Sequence, residues 1–278
     1  MDYRSKLSGE RRLFLRIVTA RHDMTRLLIE AEKNGAILVI KMARPEARNA
    51  FNVEMSAQME AAIDLFEADE DLHVAILAGT EEAFSAGADL KAVAAGEVYG
   101  GRRGGFGIFG LPPTKPLIAA IDGFAVGGGF ELCLCCDLIV AARTARMGLP
   151  EVRHGVVAIG GGLFRLPKRM PYHLVMELAL LGELHTAEFF HRCGVVNRLV
   201  DKPGEALSEA VRLAKQMLRN GPLALSASKQ IIANAFEWSD QAAWQAQMAF
   251  ADRAMTSHDA REGMKAFAEK RIPSWSGR

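Results

Sequence analysis

Three consecutive glycines, Gly127-Gly128-Gly129, run directly into Phe130-Glu131. Glycine is a poor former of helix and strand interiors, so such a run marks an obligatory turn. The apolar residues that follow predict a short helix from Gly128 to about Cys136. The first N–H groups of a helix have no intrahelical acceptor, and its positive dipole end favours a negative oxygen. Glu131 falls in the first turn, beside those donors. Alone it could be a carboxylate that only stabilises the helix start. Three poor helix formers argue against a purely structural start. A second carboxylate follows in Pro150-Glu151, and another small-residue turn, Ala86-Gly87-Ala88-Asp89, lies upstream. That turn, by itself an ordinary strand exit, offers the N–H of Ala88 as a second donor. Two backbone donors and two carboxylates can hold an enolate and move water on or off the neighbouring carbon.

The chain has 278 residues, half of them apolar, a quarter charged, and a formal net charge of +1. Bulk charge therefore gives no reason to expect nucleic acid or an anionic membrane as partner. No apolar run approaches the roughly 18 residues of a membrane span. Cys133, Cys135 and Cys136 crowd into four positions. Disulfide frameworks are not built that way, which points to a reducing, cytoplasmic setting. The cluster also lacks the CxxC pairs of a zinc site and reads as small apolar residues on a buried helix, so no metal is expected. Residues 1–23 are rich in arginine and form a separate N-terminal extension. A transit peptide and an extension upstream of a start at Met24 are both open, and the absence of serine enrichment favours the second.

Ala36 to Met42, Val74 to Ala78, Leu117 to Ile121 and Leu138 to Ala142 read as strands. Asn52 predicts a helix N-cap, and Met55, Met59, Ala62, Ile63 and Phe66 recur at helical spacing behind it. From about Pro203 the pattern turns helical, over Glu205 to Leu218, Pro222 to Phe236 and Gln241 to Lys270. The expectation is an α/β body over 24–202 and a helical part over 203–278. Gly96 to Pro113 reads as a long loop, the kind that often serves function. Gly105 to Gly110 fits GxGxxG but has no strand before it and Leu-Pro-Pro after it, against a dinucleotide site. Ser85 is one glycine short of a GxSxG elbow.

As a set, these motifs resemble the crotonase superfamily of enoyl-CoA hydratases and isomerases. The matching stretches are Arg44 to Ala50, Phe84 to Lys91, Lys115 to Ala120 and Gly127 to Leu132. Asp137, Pro150-Glu151, Gly161-Gly162, Glu262-Gly263 and Ala266 to Arg271 continue the match in order. The resemblance implies a spiral of strand–strand–helix units with a helical trimerisation part, as a homotrimer or a dimer of trimers. It implies that the amides of Ala88 and Gly128 form an oxyanion hole. It implies that Glu131 activates water while Glu151 gives a proton to Cα. Ala47 and Ala86 would offer backbone contacts to coenzyme A, and Phe267 and Lys270 would reach the nucleotide of a neighbouring subunit. Coenzyme A enters as part of the substrate, with no permanently bound cofactor implied.

Isomerases of the family often keep only the carboxylate that matches Glu151, so retention of both favours hydration or dehydration over isomerisation. Arg165-Leu166-Pro167-Lys168 and the ending Trp275 to Arg278 are similar to the carnitinyl-CoA dehydratase group. Tyr99, Phe106 and Phe109 would suit a quaternary ammonium, whereas Arg102 and Arg103 would repel it unless they face solvent. An apolar enoyl group remains open. The chain departs from the family pattern after Glu151, where Gly155 precedes Val156-Val157-Ala158-Ile159. Two other classes stay in view. A catalytically idle homologue is one. An RNA-binding homologue is the other, and it is disfavoured because Asn52 to Leu72 holds seven acids and no Lys or Arg.

Overall fold

The structure, a computed structural model, describes residues 13–15 and 26–278. The strands in chain order begin with β1 Leu13–Leu15, β2 Ile29–Asn34, β3 Ile37–Met42, β4 Val74–Ala78, β5 Ala83–Ser85 and β6 Leu117–Ile121. They continue with β7 Phe124–Val126, β8 Leu138–Ala142, β9 Arg146–Gly148, β10 His185–Thr186 and β11 Arg198–Val200. The helices are α1 Val53–Ala68, α2 Leu90–Ala94, α3 Gly128–Leu134, α4 Gly162–Arg165, α5 Tyr172–Leu181 and α6 Ala187–Arg192. After β11 come α7 Ala206–Met217, α8 Pro222–Asn234, α9 Asp240–Ala246, α10 Met248–Met255 and α11 His258–Ala268. Of the 1–23 extension only β1 is described, paired antiparallel with β2; the rest lies outside the described residues.

Two sheets divide the strands. The larger has the order β1-β2-β3-β4-β6-β8-β11, and the smaller β10-β9-β7-β5. The four strands expected from apolar runs all lie in the larger sheet, three of them with the expected bounds. Parallel strands covered on both faces read as continuous apolar runs, and β4 and β6 are buried at every position. Their side chains alternate between two clusters. Leu77, Ala119 and Ala141 join the buried face of α1, which holds the five apolar residues expected there. Ile76, Ile118 and Val140 join Ala206, Ala210 and Ala214 of α7. Asn52 caps α1 as its spacing predicts, its side chain accepting from the Met55 N–H at 2.9 Å.

Successive units send one strand to each sheet. β4, β6 and β8 enter the large sheet, and β5, β7 and β9 follow each of them into the small one. A helix or 3-10 turn then returns the chain. This is the spiral of strand–strand–helix units that the resemblance implies, ending in a helical part. Within that part the single helix expected over Gln241 to Lys270 is corrected to α9, α10 and α11. Ser257 makes the clearest break. Its backbone is extended at ψ 164, and its hydroxyl accepts from the Ala260 N–H at 2.9 Å while donating to the Ala254 carbonyl at 2.7 Å. A serine that serves both helix ends outcompetes continuation of the helix.

No helix among the described residues is long and apolar enough to cross a membrane. The three clustered cysteines are buried in the core as the sequence suggests, and burial pushes the Cys135 thiol up to about 11.

α3 lies so close to β5 that a Cβ on Gly129 would fall 2.1 Å from the Ser85 carbonyl oxygen. Gly129→Ala is therefore expected to lower stability by about 1–3 kcal/mol. Gly100→Ala, with open space around it, should leave the melting temperature unchanged, and thermal denaturation of the two variants checks the contrast.

Candidate active site

The small sheet is what assembles the site. β5 pairs with β7 and β7 with β9, both parallel. The three strands therefore end side by side. The segments leaving them are Ala86-Gly87-Ala88, Gly127-Gly128 and Leu149-Pro150-Glu151. A Cβ on Gly87 would lie 3.0 Å from the Gly128 nitrogen, so the two turns touch. Hydrogen bonds fasten them: Ala86 N–H to Arg48 O at 3.0 Å, Phe51 N–H to Gly87 O at 2.8 Å and Gly127 N–H to Gly148 O at 2.9 Å. Among the described residues, the bonds that hold these turns leave the N–H groups of Ala88 and Gly128 without an acceptor.

Each residue of the glycine run has its own reason. Gly127 has φ 58 and ψ −127, a backbone only glycine adopts readily. A Cβ on Gly128 would meet the Phe106 ring at 2.8 Å, and Gly129 abuts β5. Ser85 is no nucleophile here. Its buried hydroxyl donates to Asn49 O at 2.8 Å and accepts from Gly87 N–H at 3.1 Å, which holds the turn.

Glu131 and Glu151 converge on the same place with different surroundings. Glu131 is buried, and its Oε1 accepts from the Gly162 N–H at 2.8 Å. Burial raises its pKa, against the amides of Gly162, Gly160 and Gly161 and the charge of Arg165. Glu151 is pushed up to about 7, first by burial, with its own amide opposing and the charge of Glu131 adding. Glu151 Oε1 lies where a Cβ on Gly127 would come within 3.1 Å. Its Oε2 is a buried side-chain oxygen without a hydrogen-bond partner among the described residues. Next to it opens a cavity of about 100 Å³ whose walls include Leu149, Val152, Val157, Leu163 and Leu180, with Glu151 as its one charged group.

The chain is similar to known proteins in sequence and fold. A family profile described as enoyl-CoA hydratase/isomerase matches residues 32–278. The chain belongs to the enoyl-CoA hydratase/isomerase family. It is 42% identical over 254 residues to a carnitinyl-CoA dehydratase of Salmonella arizonae, covering 88% of this chain and 97% of that one. An enoyl-CoA hydratase from Mycobacterium tuberculosis superposes with a TM-score of 0.87 at 47% identity, over 90% of this chain and 99% of that one. A carnitinyl-CoA hydratase from Mycobacterium avium gives 0.73 at 36% identity, over 91% and 100%.

In this family member the expected site residues divide into two groups. Ala88, Gly128, Glu131 and Glu151 come together. Ala47 and Ala86 adjoin them across the Ala86–Arg48 bond, Ala47 ending a 3-10 turn over Pro45–Ala47. Phe267 and Lys270 stand apart at the exposed end of α11, with no hydrogen bond or ring contact to the other six among the described residues.

The loop over 96–113, whose rings the sequence singles out, is anchored by contacts that the sequence did not show. The GxGxxG stretch is a 3-10 turn over Gly105–Gly107, in which Phe106 holds a left-handed φ of 54. The Phe106 ring stacks on Phe51 at 4.3 Å and on Phe109 at 4.7 Å, and meets Tyr99 edge-on at 5.4 Å. Arg102 and Arg103 turn away from these rings. Both pair with Asp64 of α1, Arg103 Nε at 2.6 Å, and Glu60 accepts their backbone N–H groups. The acids of α1 thus hold the loop. Gly161-Gly162 belonged to the family match, but the role of the turn over 160–162 in wrapping Glu131 needed the fold.

A carboxyl whose folded pKa is raised binds its proton more tightly when folded. Its stabilising effect is present at low pH and is lost as pH rises from the ordinary value through about 7. Glu151→Gln should therefore match the parent near pH 4 and exceed it at pH 8. The gain expected is on the order of 1–2 kcal/mol, since solvent partly screens the group. Urea unfolding at both pH values measures it.

Proposed function

We propose that this protein adds water reversibly across the 2,3 double bond of a 2-enoyl-CoA, and removes it from the 3-hydroxyacyl-CoA, with Glu131 and Glu151 as the two proton-transfer groups. It is a hydro-lyase of CoA thioesters. The observation that carries the assignment of roles is the pair of unlike carboxyls beside two unused amides. Three backbone amides and Arg165 oppose the effect of burial on Glu131, which suits it to act as a base. Glu151, near 7 with an unpartnered oxygen, is suited to hold and release a proton.

In hydration the Glu131 carboxylate takes a proton from water as the water oxygen bonds to C3. The C2–C3 π electrons move toward the thioester, whose oxygen becomes an enolate oxygen bound by the Ala88 and Gly128 amides. Each such donor contributes about 3–4 kcal/mol to the transition state. Glu151 then protonates C2 and the thioester re-forms; the proton held by Glu131 passes back to Glu151 to reset the pair, and dehydration reverses each transfer. Isomerisation would need only one of these carboxyls, so the presence of both supports hydration.

The cavity beside Glu151 is apolar, which favours an apolar acyl group. A quaternary ammonium would want free ring faces, whereas Phe51, Phe106 and Phe109 are packed on one another. Ala47 and Ala86 would offer backbone groups to coenzyme A. Phe267 and Lys270 would act from a neighbouring protomer in a homotrimer or a dimer of trimers. Exposed large apolar side chains support that assembly: Val157, Ile159, Phe164 and Leu180 on the body, and Trp244, Met264 and Phe267 on the helical part. A head-to-tail contact between unlike surfaces forms a ring where its rotation closes. The cytoplasm fits the reduced cysteines.

Crotonyl-CoA hydration, followed by loss of the enoyl-thioester absorbance, tests the reading, with carnitinyl-CoA as the comparison substrate. Glu131→Gln and Glu151→Gln should each lower kcat by about 100-fold or more. The profile of kcat/KM for hydration should fall at low pH as Glu131 gains a proton. At high pH it should fall as Glu151 loses its own through about 7. Unchanged turnover in both variants would overturn the roles.

A further inference from the structure

We propose that Arg165 is a positioning residue for the water-activating carboxylate: its guanidinium fastens the aromatic loop to the glycine turn that holds Glu131. The inference rests on the reading of Glu131 as the base and goes beyond it. Arg165 Nη1 donates to the Gly160 carbonyl at 2.9 Å, and Nη2 donates to the Phe109 carbonyl at 2.6 Å. Those carbonyls belong to segments some fifty residues apart in sequence. The planar fork of a guanidinium suits a bridge between two fixed acceptors.

The turn beneath it is built around this contact. A Cβ on Gly161 would fall 2.0 Å from Arg165 Nη1, so the guanidinium occupies the space a side chain would take. A Cβ on Gly160 would fall 2.5 Å from Glu131 Oε2 and 2.4 Å from the Phe109 ring. Gly160 is thus flanked closely by the loop ring and the carboxylate, and the guanidinium joins its carbonyl to that of Phe109. Among the described residues Arg165 has no salt-bridge partner; the carboxylate its charge favours is that of Glu131.

The backbone offers a second route of action. The Gly160 carbonyl and the Gly161 N–H belong to one peptide unit. A cation donating to that carbonyl polarises the unit, so that its N–H favours the charged Glu131 carboxylate more strongly. Arg165 acts on the carboxylate through this peptide and through its field, without reaching the reacting atoms. The titratable groups whose charges meet that of Glu131 are Glu151, Arg165 and Cys135. The strands packed against α3, β5 and β7, present none.

The experiment compares the full chain with Arg165→Met, Arg165→Lys and Glu131→Gln by steady-state crotonyl-CoA hydration from pH 5 to 9, with melting temperatures as the fold check. Arg165→Met should lower kcat by about 10- to 100-fold, the scale of a misplaced catalytic group. Its acid limb should move to higher pH, because loss of a nearby cation makes the Glu131 carboxylate easier to protonate. Arg165→Lys should return the limb to the parent position but recover kcat only in part, since an ammonium lacks the fork for both carbonyls. A folded Arg165→Met with the parent's limb and kcat overturns the proposal. So does a lower kcat with an unmoved limb, which would mark a merely structural residue. If Arg165→Met does not fold, Arg165→Lys decides: a displaced limb or an unchanged kcat overturns the inference. Glu131→Gln separates the two levels. Should it leave turnover intact, the base assignment fails; should it inactivate while the Arg165 variants match the parent, only the present inference fails.

Discussion

Parallel pairing of three short strands is the constraint on which the rest of the site depends. β5, β7 and β9 have three residues each, too few to persist by themselves. They exist because each is tethered to a long, fully apolar strand of the larger sheet and because neighbouring backbone clasps them. Asn49 is central to this clasp. Its buried side-chain amide donates to the Ala83 and Phe84 carbonyls at 3.0 and 3.1 Å, and its oxygen accepts from the Arg44 N–H at 2.9 Å. At Gly123 a Cβ would fall 1.8 Å from the Glu82 carbonyl oxygen, so the exit from β6 presses directly on the entry to β5. A shift in either pairing would carry one amide or one carboxyl away from the others.

Burial acts on both carboxyls, yet the two are left with different proton affinities. Desolvation alone disfavours charge on each. The glycine turn over 160–162 offsets this at Glu131 with amide donors, and glycine is required there because a side chain would strike either the carboxylate or Arg165. Glu151 has no comparable set of donors, faces an apolar cavity, and feels the negative charge of its neighbour. Two carboxyls of the same side-chain type thereby come to differ in proton affinity within one pocket.

The aromatic loop ties distant parts of the chain to this arrangement. On one side it is anchored by Glu60 and Asp64 of α1. On the other it is anchored by Arg165. Between the anchors Phe106, in a left-handed backbone, places its ring against Gly128. The acids of α1 therefore have a structural task beyond making the helix unfit for a phosphate backbone.

Much of the fold was legible because its strongest signals are local and long. Five-residue apolar strands and the periodic face of α1 carry their pattern in the sequence itself. The strands of the small sheet were not legible, since three residues are too few to show a period. Ser257-His258-Asp259 did contain the signal of a helix start, yet it was masked by helix formers on both sides. The glycine run and the two glutamates named the chemistry from residue type and order alone. The unlike surroundings of the two glutamates, which glycines make room for a ring or a guanidinium, and that Arg165 bridges Gly160 and Phe109 were decided by the tertiary structure. Desolvation and close contact arise only when segments far apart in the chain are packed together.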